Sequence, residues 1–163
     1  GHLDKNAYLS EEVLRVPLTM RWLGRIAAGQ KQRELVLNLD VPVTVMDAAG
    51  LDFGNRVDGQ SMLDLMLQER PGARAWRDDV VVETHGHHGE QVVGRALVTN
   101  RHKYAAYRYL NAPTGEAELY DLEQDPYEMH NLLANPSYCD LVADLQQRLV
   151  AWQQETTDTA ALT

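Results

Sequence analysis

A single cysteine, Cys139, stands among the 163 residues, so the chain can close no internal disulfide and can build no thiolate metal cluster. No apolar run approaches the roughly 20 residues that a membrane-spanning helix needs. Positive charge is scarce: 15 Lys and Arg stand against 24 Asp and Glu, a net charge of −9. Nucleic acids and anionic membranes are held by clustered Lys and Arg that neutralise phosphates, so neither is an expected partner. An anionic ligand would have to be met by local positive groups working against the overall field. There is no internal repeat and no low-complexity tract. The chain opens Gly1-His2-Leu3-Asp4-Lys5, with no initiator Met, basic segment or apolar leader. We therefore expect an interior start, with any targeting segment in an amino-terminal part lying elsewhere.

What is present is ordinary for a globular domain: 44% hydrophobic and 24% charged residues. A body of this length buries roughly 70% of the surface its unfolded chain exposes. Periodicity divides it in two, with a soft boundary at residues 73–77. In the first half, Val16 to Trp22 alternate and read as a strand, with Pro17 near its start where a missing donor is tolerated. Gly24 and Gly29 punctuate a loop. Pro42 to Ala49 reads as a short helix, with Asp40 just before it, Gly50 at the left-handed cap, and Val43, Met46 and Ala49 on one face. Asp58 to Ser61 is a turn, and Met62 to Leu67 a brief apolar helix or coil ended by Pro71 and Gly72.

The second half changes period. Val80–Thr84, Gln91–Thr99, Lys103–Tyr109 and Glu118–Leu122 read as strands of a small antiparallel sheet. Asn135 and Pro136 open a helix in which Tyr138, Leu141, Val142, Leu145, Leu149 and Trp152 recur at three- and four-residue steps, so it is expected to cover one sheet face. The tail from Thr156, small and polar, is expected to fray.

The most specific string is Glu118-Leu-Tyr-Asp-Leu-Glu-Gln-Asp-Pro-Tyr-Glu-Met-His-Asn-Leu132. It resembles the closing signature of the sulfatase family. There a strand ending Leu-Tyr-Asp-Leu (here Leu119 to Leu122) runs into an acidic Asp-Pro turn (Asp125, Pro126), then Glu-x-x-Asn-Leu (Glu128, Asn131, Leu132) and a final amphipathic helix. Glu11-Glu12-x-x-Arg15-Val16-Pro17-Leu18, with Arg21-Trp22-x-Gly24, is similar to the family's segment after its active-site lysine. Asp40, Pro42, Thr44, Asp47, Ala49 and Gly50 are similar to its Asp-x-x-Pro-Thr-x-x-Asp-x-Ala-Gly helix, with Val43 intervening between Pro42 and Thr44. Asp58-Gly59-x-Ser61-Met62 resembles its Gly-x-Ser turn. The resemblance implies an α/β fold in two parts. Residues 1–75 would be the C-terminal end of an alkaline-phosphatase-like sulfatase domain. Residues 76–163 would be a small α+β subdomain, an antiparallel sheet covered by a C-terminal helix.

Sulfatases cleave sulfate esters with a formylglycine made from the first residue of Cys/Ser-x-Pro-x-Arg, beside a Ca2+ or Mg2+ ion. That pattern is absent here, and Cys139 is followed by Asp140-Leu141-Val142-Ala143. The segment is thus expected to bind no cofactor or metal itself and to be inactive alone. The resemblance implies a parent that hydrolyses carbohydrate or aryl sulfates, with the N-terminal part of the same chain as this segment's partner. A phosphonate or phosphate ester hydrolase of the same superfamily, and a non-catalytic remnant or interaction module, stay open as alternatives. The compartment is not legible; a periplasmic or secreted parent is compatible with the resemblance.

Candidate contacts are few. By resemblance, Gly1, Asp4 and Lys5 align with a His-Gly-x-x-Asp-Lys stretch whose lysine contacts the sulfate, making Lys5 the catalytic candidate; composition alone reads it as a solvated lysine at a chain end. The loop Glu83-Thr84-His85-Gly86-His87-His88-Gly89 offers three imidazoles. Zinc wants three or four ligands in fixed geometry, which a glycine loop without nearby Cys or acidic groups supplies poorly. In related sulfatases the matching loop folds over the mouth of the active site, so the resemblance implies that one of His85, His87 and His88 helps form a substrate subsite for a sulfated small molecule or glycan, against a solvated loop. Arg101, His102 and Lys103 read as a structural strand after a tight turn, Tyr104, Tyr107 and Tyr109 as sheet packing, and Tyr120 and Asp121 as holding a turn.

Overall fold

The computed structural model describes residues 8–54, 57–67, 75–85, 92–109, 115–160 and 162. In chain order its elements are α1 (Glu11–Leu14), α2 (Asp40–Ala48), α3 (Leu63–Met66), β1 (Asp79–Thr84), β2 (Val92–Thr99), β3 (His102–Tyr109), β4 (Gly115–Asp121), a 3-10 turn (Pro136–Tyr138) and α4 (Cys139–Thr156). They form two compact units, Gly1–Pro17 with Asp79–Thr163, and Leu18–Asp78. The segment up to Pro17, read from the sequence with the first half, thus groups with the sheet. No helix among the described residues is long and apolar enough to cross a membrane.

The sheet is an antiparallel meander in the order β1-β2-β3-β4. Its register sets Val81 opposite Leu97, Leu97 opposite Tyr104 and Tyr104 opposite Leu119, one row running across all four strands. Successive side chains in a strand point to opposite faces, so this row and its next-but-one neighbours share a face. Onto it α4 lays Leu145 and Leu149, buried with Leu97, Tyr104, Ala106, Leu119 and Leu162 in one core. Entry to the helix follows the Asn-Pro signal: Asn135 Oδ1 accepts from Ser137 N at 3.0 Å. Thr99 builds the turn between β2 and β3, its hydroxyl accepting from His102 N at 2.8 Å and donating to His102 O at 3.0 Å. On the opposite face Tyr107 lies so close over Gly94 that a Cβ there would stand 2.7 Å from its ring.

Two expectations fail here. Val16 to Trp22 forms no strand: Pro17 withholds a donor, and Val16 and Leu18 stay exposed, so alternation alone finds no ladder to join. Among the described residues, the tail after Thr156 does not fray. Thr157 turns the chain in the left-handed region, Asp158 pairs with a buried arginine, and Leu162 sinks into the core.

The second unit has little regular structure. Met62, Leu63, Met66 and Leu67 form its core, with Met20, Trp22, Ile26, Val36, Val41 and Trp76 packed around them. Helix α2 begins at Asp40, ahead of the Pro42 signal, and buries Asp40 and Thr44 fully, while Ala49 lies exposed past its end. Its inward face is polar because a hydrogen-bond network is built on it.

Truncating Leu145 to Ala should lower the unfolding free energy by about 2–5 kcal/mol in urea denaturation, whereas Val150→Ala, half exposed on the same helix, should stay within about 0.5 kcal/mol. Removing residues 157–163 should destabilise the protein by more than about 2 kcal/mol, since it strands a buried charge; a frayed tail would cost nothing.

Candidate functional site

Of the four residues singled out from the sequence, Lys5, His87 and His88 lie outside the described residues. His85 follows β1 and is exposed, with Nε2 3.4 Å from Glu83 Oε2. The register places Glu83 opposite Arg95, whose Nη2 is 3.3 Å from the Glu83 carboxylate. Arg95 itself is 0% exposed. Its Nε and Nη2 form a fork on the Asp158 carboxylate, both at 2.9 Å, and its Nη1 donates to Gly94 O at 2.8 Å and Thr84 O at 3.3 Å. Hydrogen bonds from Arg95 hold the Asp158 carboxyl down at about 2, outweighing the cost of burial. A charged row therefore runs from the tail through the sheet to its rim, and His85 stands at the outer end. There an imidazole can donate or accept a hydrogen bond to a hydroxyl or an anion.

The Leu119–Leu132 signature is a fold device. Asp121 takes Arg101 on Oδ2 at 2.8 Å and the amides of Glu123 and Gln124 on Oδ1, closing the turn after β4. Asn131 Oδ1 accepts from Leu119 N and Leu133 N, both at 3.0 Å, and Leu132 N donates to Leu119 O at 2.8 Å. Glu128 has φ +56°, a left-handed conformation that costs a non-glycine residue roughly 1–2 kcal/mol. In that pose its carboxylate pairs with Lys103, which is buried to 1% exposure on β3. Lys103 Nζ also donates to Leu9 O at 2.7 Å and lies 3.7 Å from Glu11 Oε1. Glu128 Oε2 accepts from Glu11 N, and the Tyr107 hydroxyl accepts from Leu9 N, each at 2.9 Å. Burial pushes the Tyr107 hydroxyl well above its ordinary pKa, with the bond from Leu9 pulling the other way.

In the second unit the motif residues around α2 are likewise spent on structure. Asp40 receives both Arg77 nitrogens (2.5 and 2.7 Å), Leu37 N (2.7 Å) and Gln60 N (2.8 Å). Burial opposes its charge, yet these hydrogen bonds win and its pKa falls below the usual carboxylate range. Thr44 Oγ1 accepts from Met62 N at 2.9 Å, and Ser61 Oγ donates to Asp47 Oδ2 at 2.5 Å. Gly59 sits where a Cβ would meet Leu39 O at 2.2 Å, so the turn can close on the helix only with glycine. Beside this network lies a cavity of about 650 Å3, bordered by Val43, Met46, Asp47, Phe53, Ser61 and Arg77 among others.

No group of three or more His, Cys, Asp or Glu among the described residues could hold a metal ion. Sequence reasoning missed Arg95, Lys103 and Glu128 as buried charges. The available signal was a cation inside an apolar strand, as in Val92-Val-Gly-Arg-Ala-Leu-Val98, where a solvated residue would break the pattern.

Residues 1–155 match the family described as N-sulphoglucosamine sulphohydrolase, C-terminal. An N-acetylglucosamine-6-O-sulfatase of Bacteroides thetaiotaomicron is 27% identical over 158 residues, 97% of this chain and 28% of that protein. An arylsulfatase of Clostridium perfringens is 31% identical over 143 residues, 83% of this chain and 27% of that protein. The chain thus spans little more than a quarter of the length of either relative. Among solved structures, one in complex with its substrate D-glucosamine-2-N,6-O-disulfate superposes with a TM-score of 0.79 at 25% identity, over 93% of this chain and 31% of that one. A phosphonate monoester hydrolase of Agrobacterium radiobacter, with a TM-score of 0.55 at 21% identity over 71% and 24% of the two chains, shares the fold alone.

The Asp158 pairing has a testable acid limb. A carboxyl at about 2 in the folded chain against 3.8 ordinarily contributes stability that is complete above the higher value and is lost as pH falls through the lower one. Unfolding free energy measured by urea titration should therefore drop between those two values, and Asp158→Asn should lower the plateau and flatten that drop.

Proposed function

The chain belongs to the C-terminal N-sulphoglucosamine sulphohydrolase family of sulfatases, and from that premise we propose that it is the C-terminal part of a protein that hydrolyses sulfuric esters of carbohydrates. The match over residues 1–155 carries the reading. A relative acting on N-acetylglucosamine 6-sulfate makes a 6-O-sulfated amino sugar the first substrate to test. In this reading the formylglycine nucleophile and the Ca2+ or Mg2+ ion come from sequence outside this chain. The chain has no Cys/Ser-x-Pro-x-Arg pattern, and its described residues assemble no metal ligand set.

What this chain contributes is binding and charge. Lys5 supplies a compact cation to the sulfate, where negative charge shifts onto the leaving oxygen; in a site closed to water such a contact is worth several kcal/mol. His85, His87 and His88 contact the sugar in this reading, donating hydrogen bonds to hydroxyls or a second sulfate. Imidazoles suit this because each ring can donate or accept a hydrogen bond to a sugar hydroxyl.

The test is sulfate release by the full-length protein from 6-O-sulfated N-acetylglucosamine, with para-nitrophenyl sulfate and a phosphonate ester alongside. The full-length protein should release sulfate and residues 1–163 alone should not. Lys5→Ala should lower kcat by about 10²–10³-fold. Faster turnover of the phosphonate ester than of any sulfate would transfer the chain to the phosphonate hydrolases.

A further inference from the structure

Among the described residues the cations are used in two ways. Arg77, Arg95, Arg101, Lys103 and Arg148 each pair with a carboxylate. Arg21, Arg25, Lys31 and Arg33 are all exposed, and no described carboxylate pairs with them. These four share one loop of the second unit, Leu18 to Arg33, which carries no Asp or Glu in a chain that has 24. Cations that only keep a surface soluble are interspersed with acids. Collected without counter-ions, they make a local positive field. Salt screens exposed charges beyond about 8 Å, so the net charge of −9 spread over the rest of the chain does not cancel it.

The loop is anchored by its apolar members, which leaves the charged ones to solvent. Trp22 O accepts from Arg25 N at 3.1 Å and from Ile26 N at 3.0 Å, closing a turn. Trp22 and Ile26 pack on the core of Met62, Leu63, Met66 and Leu67, and Gln32 Nε2 donates to Leu65 O. The Arg25 guanidinium lies over the Trp22 ring, 5.0 Å from its centroid. Stacking uses the face of the guanidinium and leaves its N–H edge for an anion.

One sulfate ester brings a single negative charge, which one or two such donors satisfy. Four unpaired cations on one loop suit a ligand that repeats its sulfates. Resting on the reading of this chain as part of a carbohydrate sulfatase, we propose that the loop from Leu18 to Arg33 binds a sulfated polysaccharide through Arg21, Arg25, Lys31 and Arg33, which makes the substrate class polymeric. Nucleic acids and anionic lipids carry the same sign of charge but make other demands. Single strands stack their bases on open aromatic rings, and Trp22, the one aromatic in the loop, is already packed on the core and covered by Arg25. Peripheral membrane binding uses an amphipathic helix, and the loop holds none.

Binding of the full-length protein to dextran sulfate, with uncharged dextran as the matched polymer, tests this. Dextran sulfate should bind and dextran should not, with affinity falling as salt rises. Arg21→Gln combined with Lys31→Gln should weaken binding at least about tenfold and lower the slope of log affinity against log salt by roughly 1.5–2, the counterions of two contacts. Gln147→Glu combined with Gln154→Glu, both exposed on α4, changes the net charge equally and should leave affinity and slope alone. The proposal is overturned if dextran sulfate does not bind, if dextran binds as well, if the loop variant binds like the parent, or if the α4 variant loses as much. Tighter binding to duplex DNA or to phosphatidylserine vesicles than to dextran sulfate also overturns it. A protein that releases sulfate from 6-O-sulfated N-acetylglucosamine but does not hold dextran sulfate refutes the loop alone. A protein that hydrolyses no sulfate ester refutes the reading of the chain as a sulfatase part, and the assignment of the loop to its substrate falls with it.

Discussion

A buried ammonium organises the sheet unit. Lys103 reaches 1% exposure near the start of β3, and an unpaired charge there would cost several kcal/mol. Its partners come from both ends of the sequence, the Leu9 carbonyl and Glu11 on one side and Glu128 on the other. The antiparallel register, which sets Lys103 opposite Val98 and Tyr120, keeps it on the face that α4 does not cover. One face of the sheet is thus held by apolar burial and the other by a charge that must find its ligands. The first supplies most of the stability; the second specifies which segments meet.

The same division of labour recurs in the second unit. There the apolar core of Met62, Leu63, Met66 and Leu67 is small, and the joining of α2 to the turn at Gly59–Ser61 falls to Asp40, Thr44 and Asp47. Arg77 closes the network by neutralising Asp40 in bidentate geometry, which a lysine could not reproduce. The motif residues that link this chain to sulfatases therefore record how the family folds. They say less about how it cleaves an ester.

That explains what could be read from the sequence and what could not. Strands fell within about three residues of their observed ends because β-branched and aromatic alternation is a local signal. The phase of α4 was equally legible, since Leu145 and Leu149 follow the 3.6-residue period that buries them. Partners far apart in sequence were not. Asp158 looked like part of a polar tail because its arginine lies 63 residues away, and Lys103, read as part of a structural strand, gave no sign of its buried ion pair because Glu128 is in another loop. Val16 to Trp22 had the alternation of a strand but no neighbour to pair with. Of the candidate contacts, His85 alone could be placed, at the sheet rim beside Glu83.

Glu128 carries two demands that no single side chain meets without cost. Its backbone, at φ +56°, is best served by glycine, and its carboxylate is required by Lys103 and by the Glu11 amide. A change toward the better backbone removes the counter-ion, and a change that keeps the counter-ion keeps the strain. Sequence drift at this position is therefore blocked one step at a time: leaving it requires positions 103 and 128 to change together, which makes the pair an epistatic lock on how the family can diverge.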